Sequence, residues 1–180
     1  MYMLLPIYTF SHANILTFEK DGKRVRPFDS MEEHNEHIVD NWNKTVRDCD
    51  IIYVCGDVLF AQETGWPALE RLRGKKHLIE GNHDPRHIAK LVNYFVSVRA
   101  MKIYNDLIFT HIPIHSECVD RFNTSVHGHL HNNFINDPRY LCISMEQINF
   151  TPISIDEIRQ RIVMNRNSYD ETGLVVDWTG

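Results

Sequence analysis

The reading of this chain turns on His77-Leu78-Ile79-Glu80-Gly81-Asn82-His83-Asp84-Pro85. Its first three residues belong to an apolar run of buried-strand type, and Pro85 can open a helix. An amide, an imidazole and a carboxylate are thus packed into one strand-to-helix turn, the kind of loop where function concentrates. Asn and Asp also favour turns for backbone reasons of their own. The weight of the motif therefore depends on what the other strand ends carry.

Upstream, Ile51-Ile52-Tyr53-Val54-Cys55 is a second continuous apolar run, closed by Gly56-Asp57. Between the two runs, Pro67 to Leu72 reads as a helix that stops near Gly74. Ser30 with Glu33 three residues on makes a capping box, and Ile38, Trp42 and Val46 recur behind it at helical spacing. Tyr2 to Phe10 is apolar enough for a first strand, with Pro6 at an edge or bend, and Ser11 to Phe28 is a long connection.

Downstream, Pro85 to Val92 reads as a short helix. Phe95 to Ile103 turns at Asn105-Asp106 into Leu107 to Thr110, a hairpin pattern. A loop from Ile112 to Asn123 leads to Ser125-Val126-His127 and then Gly128-His129-Leu130-His131. Tyr140 to Ser144 is a last strand, and Ser154 with Glu157 caps a helix through about Met164. Strands alternating with helices give an α/β layered fold. The later strands lie too close together for intervening helices, so part of the sheet is antiparallel or mixed.

Length and composition fit one globular domain of 180 residues, 43% hydrophobic and 24% charged, with a core over about 2–164 and a polar tail over 165–180. A net charge of −5 argues against a general nucleic-acid or membrane-surface binder, because such proteins cluster Lys and Arg. Cys49, Cys55, Cys118 and Cys142 form no Cys-x-x-Cys pair and read as reduced, mostly core residues of a cytoplasmic protein. Met1 to Phe10 has no basic start and is too short to cross a bilayer. The eleven histidines stand out, since His83, His111, His127, His129 and His131 lie in or beside Gly- or Pro-containing turns.

Four strand ends share one habit: Gly56-Asp57, Gly81-Asn82-His83-Asp84, Thr110-His111 and Gly128-His129-Leu130-His131. Each alone has a bland reading: a Gly-Asp turn, a polar strand edge for His-x-His, a satisfied core histidine for His111. In open α/β sheets the strand ends lie side by side, so such residues converge. Carboxylate, amide oxygen and imidazole together suit a divalent ion such as Mn²⁺, Fe²⁺ or Zn²⁺. A structural zinc site would use cysteine and close all four positions, which this set does not.

In this order the four blocks resemble four of the five signature blocks of the calcineurin-like metallophosphoesterase superfamily, over about residues 4 to 160. Asn14-Ile15, Arg26-Pro27-Phe28, Asn41-Trp42-Asn43 and Val46 are similar to a compact phosphoesterase group of bacteria and phages. The resemblance implies a four-layer α-β-β-α sandwich with two mixed sheets and two divalent metal ions at the strand ends. It implies that Asp57 bridges the ions, that Asn82, His111 and His129 complete the second site, and that His131 serves the first. His83, held by Asp84, would donate a proton to the leaving group. The implied activity is that of a phosphatase or phosphodiesterase acting on a small phosphoester or nucleotide-type substrate through metal-activated water. Arg26, Arg86, His87 and Arg121 are candidate phosphate contacts, although a solvated surface charge is the plainer reading of each.

The first signature block, Asp-x-His, is missing: where its residues should fall the chain has Ile7 and Thr9, with His12 nearby as a partial substitute. One permitted set of codons for residues 4–9, read one base earlier, gives Thr-Ser-Asp-Ile-His and restores both. Codons in the gene incompatible with that frame would exclude it. Ile7 and Thr9 leave a second expectation open, a catalytically impaired member acting as a metal- or nucleotide-binding or interaction module.

Overall fold

Residues 2–5, 13–20, 22–59 and 62–179 are described by the structure, a computed structural model. A short strand β1 (Tyr2–Leu5) and a 3-10 turn (Ala13–Thr17) precede a small hairpin of β2 (Glu19–Lys20) and β3 (Lys23–Arg24). Helix α1 (Met31–Thr45), β4 (Ile51–Val54), α2 (Gln62–Glu70) and β5 (Lys75–Ile79) follow. After a 3-10 turn at Asp84–His87 come α3 (Ile88–Leu91), β6 (Ser97–Arg99), β7 (Lys102–Tyr104) and β8 (Leu107–Thr110). The chain then passes through α4 (Ser116–Val119), β9 (Thr124–His127), β10 (Tyr140–Cys142), a 3-10 turn (Met145–Ile148), β11 (Ile153–Ser154) and α5 (Ile155–Thr172).

The strands form two mixed sheets besides the hairpin. The first runs β11-β1-β4-β5-β6, parallel except for β11 at its edge. The second runs β10-β9-β8-β7, with β7 alone antiparallel. Continuous apolar runs such as Ile51–Val54 follow from burial on both faces. Ile52, Val54 and Leu78 enter a core with Ile38, Trp42 and Leu69 of α1 and α2. Cys55 and Ile79 enter another with Phe109 and Val126 of the second sheet and Ile158 and Ile162 of α5.

Both serine N-caps form, without the return bond of a full capping box. Ser30 accepts from the Glu33 amide at 3.1 Å, and Ser154 from the Glu157 amide at 3.1 Å. Glu33 reaches back to the amide of Asp29 rather than that of Ser30. Several expectations need correction. Helix α2 starts at Gln62, five residues before Pro67, which therefore lies inside it. The Phe95 to Ile103 run divides between sheets: β6 pairs with β5, and β7 turns back into β8. Ser116–Val119 is helical where a loop was expected.

The polar tail begins later than expected, because α5 continues to Thr172 and ends at Gly173 with φ +74°. Residues beyond it fold back over the helix: Asn165 accepts from the Val176 amide and Trp178 Nε1 at 3.3 and 3.1 Å. Cys55 and Cys142 are buried, but Cys49 and Cys118 are exposed, and all four are free. Among the described residues no helix is long and apolar enough to cross a membrane.

Candidate metal centre

The ends of β4, β5, β8 and β9 meet because their strands run in register. Val54 pairs with Leu78, and Thr110 with His127. Two glycines let the first two turns touch. Gly56 takes φ +80°, and a Cβ there would lie 2.5 Å from the Gly81 amide nitrogen. A Cβ on Gly81 would overlap the Asp57 backbone and carboxylate. No side chain of any kind fits between the turns.

Asp84 locks them together. It is fully buried, and its carboxylate accepts from the amides of Asp57, Gly81 and Val58, each at 2.8 Å. Burial raises its pKa, while the amides of Gly81 and Val58 pull the other way. The His83 amide donates to Asp57 Oδ1 at 2.8 Å, which ties the same turn to Asp57.

His111 stands at the centre of the site. Its Nδ1 lies 2.7 Å from the Cys55 carbonyl, an acceptor, so the proton sits on Nδ1 and Nε2 carries a lone pair. Around Nε2 stand Asp57 Oδ2 at 3.1 Å, Asn82 Oδ1 at 3.0 Å and His129 Nδ1 at 3.2 Å. His129 Nδ1 can donate to that lone pair, but Asp57 Oδ2 and Asn82 Oδ1 bear no hydrogen and face it as acceptors. A cation among them would offset that repulsion. A divalent ion with bonds of about 2.1 Å at angles of about 90–110° sets its ligand atoms about 3.0–3.4 Å apart, the spacing seen here. Asp57, His111 and His129 have ligand atoms all within 4.8 Å of one another.

Burial opposes ionisation of Asp57, but a positive charge at His111 Nε2, together with the His83 amide, outweighs it and lowers its pKa; a cation in place of an Nε2 proton would act in the same direction. Burial, then His111, lowers that of His129, which favours the neutral, ligating form. A cavity of 390 Å³ opens beside Asn82, His111, Pro85 and Ile112.

The other named residues divide. His131 stands outside this cluster: its Nδ1 faces Glu146 Oε1 at 3.3 Å. Arg86 is exposed on the 3-10 turn after Asp84. Arg26 is no solvated charge. It is fully buried, with Nε on Glu146 Oε1 at 2.8 Å and Nη1 on His34 Nε2 at 2.9 Å, and so cannot meet an incoming phosphate from solvent. Ile7, Thr9 and His12 lie outside the described residues. Glu146 escaped the sequence reading; its signal was a lone carboxylate in the apolar stretch Leu141–Ile148.

The buried Arg26 has a consequence for acid stability. Burial first and Arg26 second push His34 from 6.5 to about 3. The unfolded chain therefore takes up a proton that the folded chain refuses, so this contribution is whole above pH 6.5 and is lost as pH falls toward 3. Between pH 7 and 4.5, His34→Gln is expected to lose about 2 kcal/mol less stability than the parent by urea unfolding. Parallel losses in the two proteins would refute it.

No protein-family profile matches this chain. Over 159 residues it is 35% identical to "Uncharacterized protein MJ1445" of Methanocaldococcus jannaschii, covering 83% of this chain and 84% of that one. The chain belongs to the family of MJ1445. It also resembles the crystal structure of the protein of unknown function AQ665 from Aquifex aeolicus, with a TM-score of 0.68 over 89% of this chain and 98% of that one. At 24% identity this second likeness shows a shared mixed α/β fold.

Proposed function

We propose that this protein is a metal-dependent phosphoesterase, its sheets and flanking helices forming the four-layer sandwich of the calcineurin-like superfamily. The observation that carries the reading is the convergence of Asp57, Asn82 and His129 on the lone pair of His111 Nε2, within 3.0–3.2 Å. That donor set fits a divalent ion. When bound there, such ions supply Lewis acidity toward a phosphoryl oxygen and an activated water. Asp57, Asn82, His111 and His129 hold one site; Asp57 and His131 belong to the other. His83 protonates the leaving oxygen from a turn that Asp84 fixes in place, and the substrate is a small phosphomonoester or phosphodiester.

Ile7 and Thr9 favour a second reading, a relative that binds an ion or nucleotide without turning it over. Elemental analysis after Mn²⁺ loading and desalting separates the two. One ion per chain is expected as the chain stands, and two in Ile7→Asp with Thr9→His, together with a rise of roughly tenfold or more in turnover of a chromogenic phosphodiester. Two ions in the unaltered chain would mean that another group completes the first site. No ion at all would sink both the enzyme and the metal-binding readings.

A further inference from the structure

A chain of buried polar groups leads from helix α1 to His131. His34 Nδ1 lies 3.2 Å from Asn35 Oδ1, and its Nε2 lies 2.9 Å from Arg26 Nη1. Arg26 Nε reaches Glu146 Oε1 at 2.8 Å, and the same oxygen faces His131 Nδ1 at 3.3 Å. His34, Arg26 and Glu146 are nearly or wholly buried, whereas the His131 side chain is 33% exposed.

Each proton in this chain can be assigned. A guanidinium only donates, so His34 Nε2 must accept, and the His34 proton lies on Nδ1 toward Asn35. At the other end Glu146 accepts from Arg26. The buried ion pair with the Arg26 guanidinium, at 2.8 Å, keeps it a carboxylate. An ionised carboxylate only accepts, so the proton facing it from His131 sits on Nδ1. His131 Nε2 is left with a lone pair.

We infer that Glu146, anchored by Arg26, is a positioning residue that holds His131 in its Nδ1–H tautomer and so presents Nε2 as a ligand nitrogen. The inference rests on the proposed reading in taking His131 as a metal ligand. A carboxylate behind a ligating histidine commonly plays this part. A buried ion pair is also an expensive way to tie a hairpin to a turn, since apolar residues of similar volume hold such places as well or better. Arg26 Nη2 and Glu146 Oε2 are buried without a hydrogen-bond partner, as expected of a pair retained for its charge rather than for its fit.

The test uses the full chain labelled with ¹⁵N in its histidines. Long-range ¹H–¹⁵N correlation on metal-free protein at neutral pH should show His131 protonated on Nδ1. In Arg26→Met with Glu146→Leu, which removes both charges and leaves neither orphaned, His131 should move toward the Nε2–H form that a free side chain favours. With the same changes placed in the Ile7→Asp, Thr9→His chain, where both sites are expected to fill, the affinity for the second Mn²⁺ ion, read by calorimetry, should fall about 10–100-fold. The isosteric Glu146→Gln is the second probe, with both readouts shifting the same way. An Nε2–H tautomer in the unaltered protein, or variants that keep both tautomer and affinity, would overturn the inference. The expected tautomer in a protein that binds no Mn²⁺ would overturn the metal reading and leave the tautomer assignment standing.

Discussion

His83→Ala is expected to lower turnover of a chromogenic phosphodiester by about 10²–10⁴-fold, the range for loss of a general acid, while leaving the Mn²⁺ content per chain unchanged. The structure separates these two effects. The His83 backbone amide donates to Asp57 Oδ1 at 2.8 Å, and that bond survives truncation of the ring. The other oxygen, Oδ2, keeps its place 3.1 Å from His111 Nε2. A loss of activity at constant metal content therefore belongs to the imidazole. Turnover within a few-fold of the parent would remove His83 from the chemistry.

The second large effect is on stability. Asp84→Ala would leave three buried amides, those of Asp57, Val58 and Gly81, without their acceptor. At about 1–3 kcal/mol for each unsatisfied group the loss is roughly 3–9 kcal/mol, a large share of the roughly 5–15 kcal/mol that holds most domains folded. For a chain of this size the melting temperature should fall by roughly 6–36 °C. Asp84→Asn should be milder. Its one remaining oxygen can serve Asp57 and Gly81, while its NH₂ is turned against the Val58 amide. Equal melting temperatures for Asp84→Ala and the parent, by calorimetry without added metal, would refute the clamp.

Much of the site was legible because its signals are local. Gly56-Asp57 and Gly81-Asn82 announce sharp turns after apolar runs, and the packing of those two glycines shows why nothing larger serves. Ser30 and Ser154 marked their helices because a capping hydrogen bond spans only three residues. Tertiary choices stayed hidden. Nothing in Phe95 to Ile103 tells β6 to join β5 while β7 turns toward β8, since either strand would bury as well in either sheet. Asn165 looked like the start of a polar tail because its partners, Val176 and Trp178, lie eleven and thirteen residues on. Arg26 looked solvated for the same reason: its carboxylate is 120 residues away.

Asp57, His129 and His131 all hold left-handed backbone, at φ 52°, 65° and 54°. For residues other than glycine each such conformation costs on the order of 1–3 kcal/mol and persists only where its surroundings enforce it. Asparagine or glycine would sit there with less strain and could not supply the same ligand. Heat resistance and ion binding therefore pull these three positions in opposite directions. A lineage selected for thermal tolerance alone would drift toward Asn or Gly at all three, and would keep its sheets while losing the proposed metal ligands.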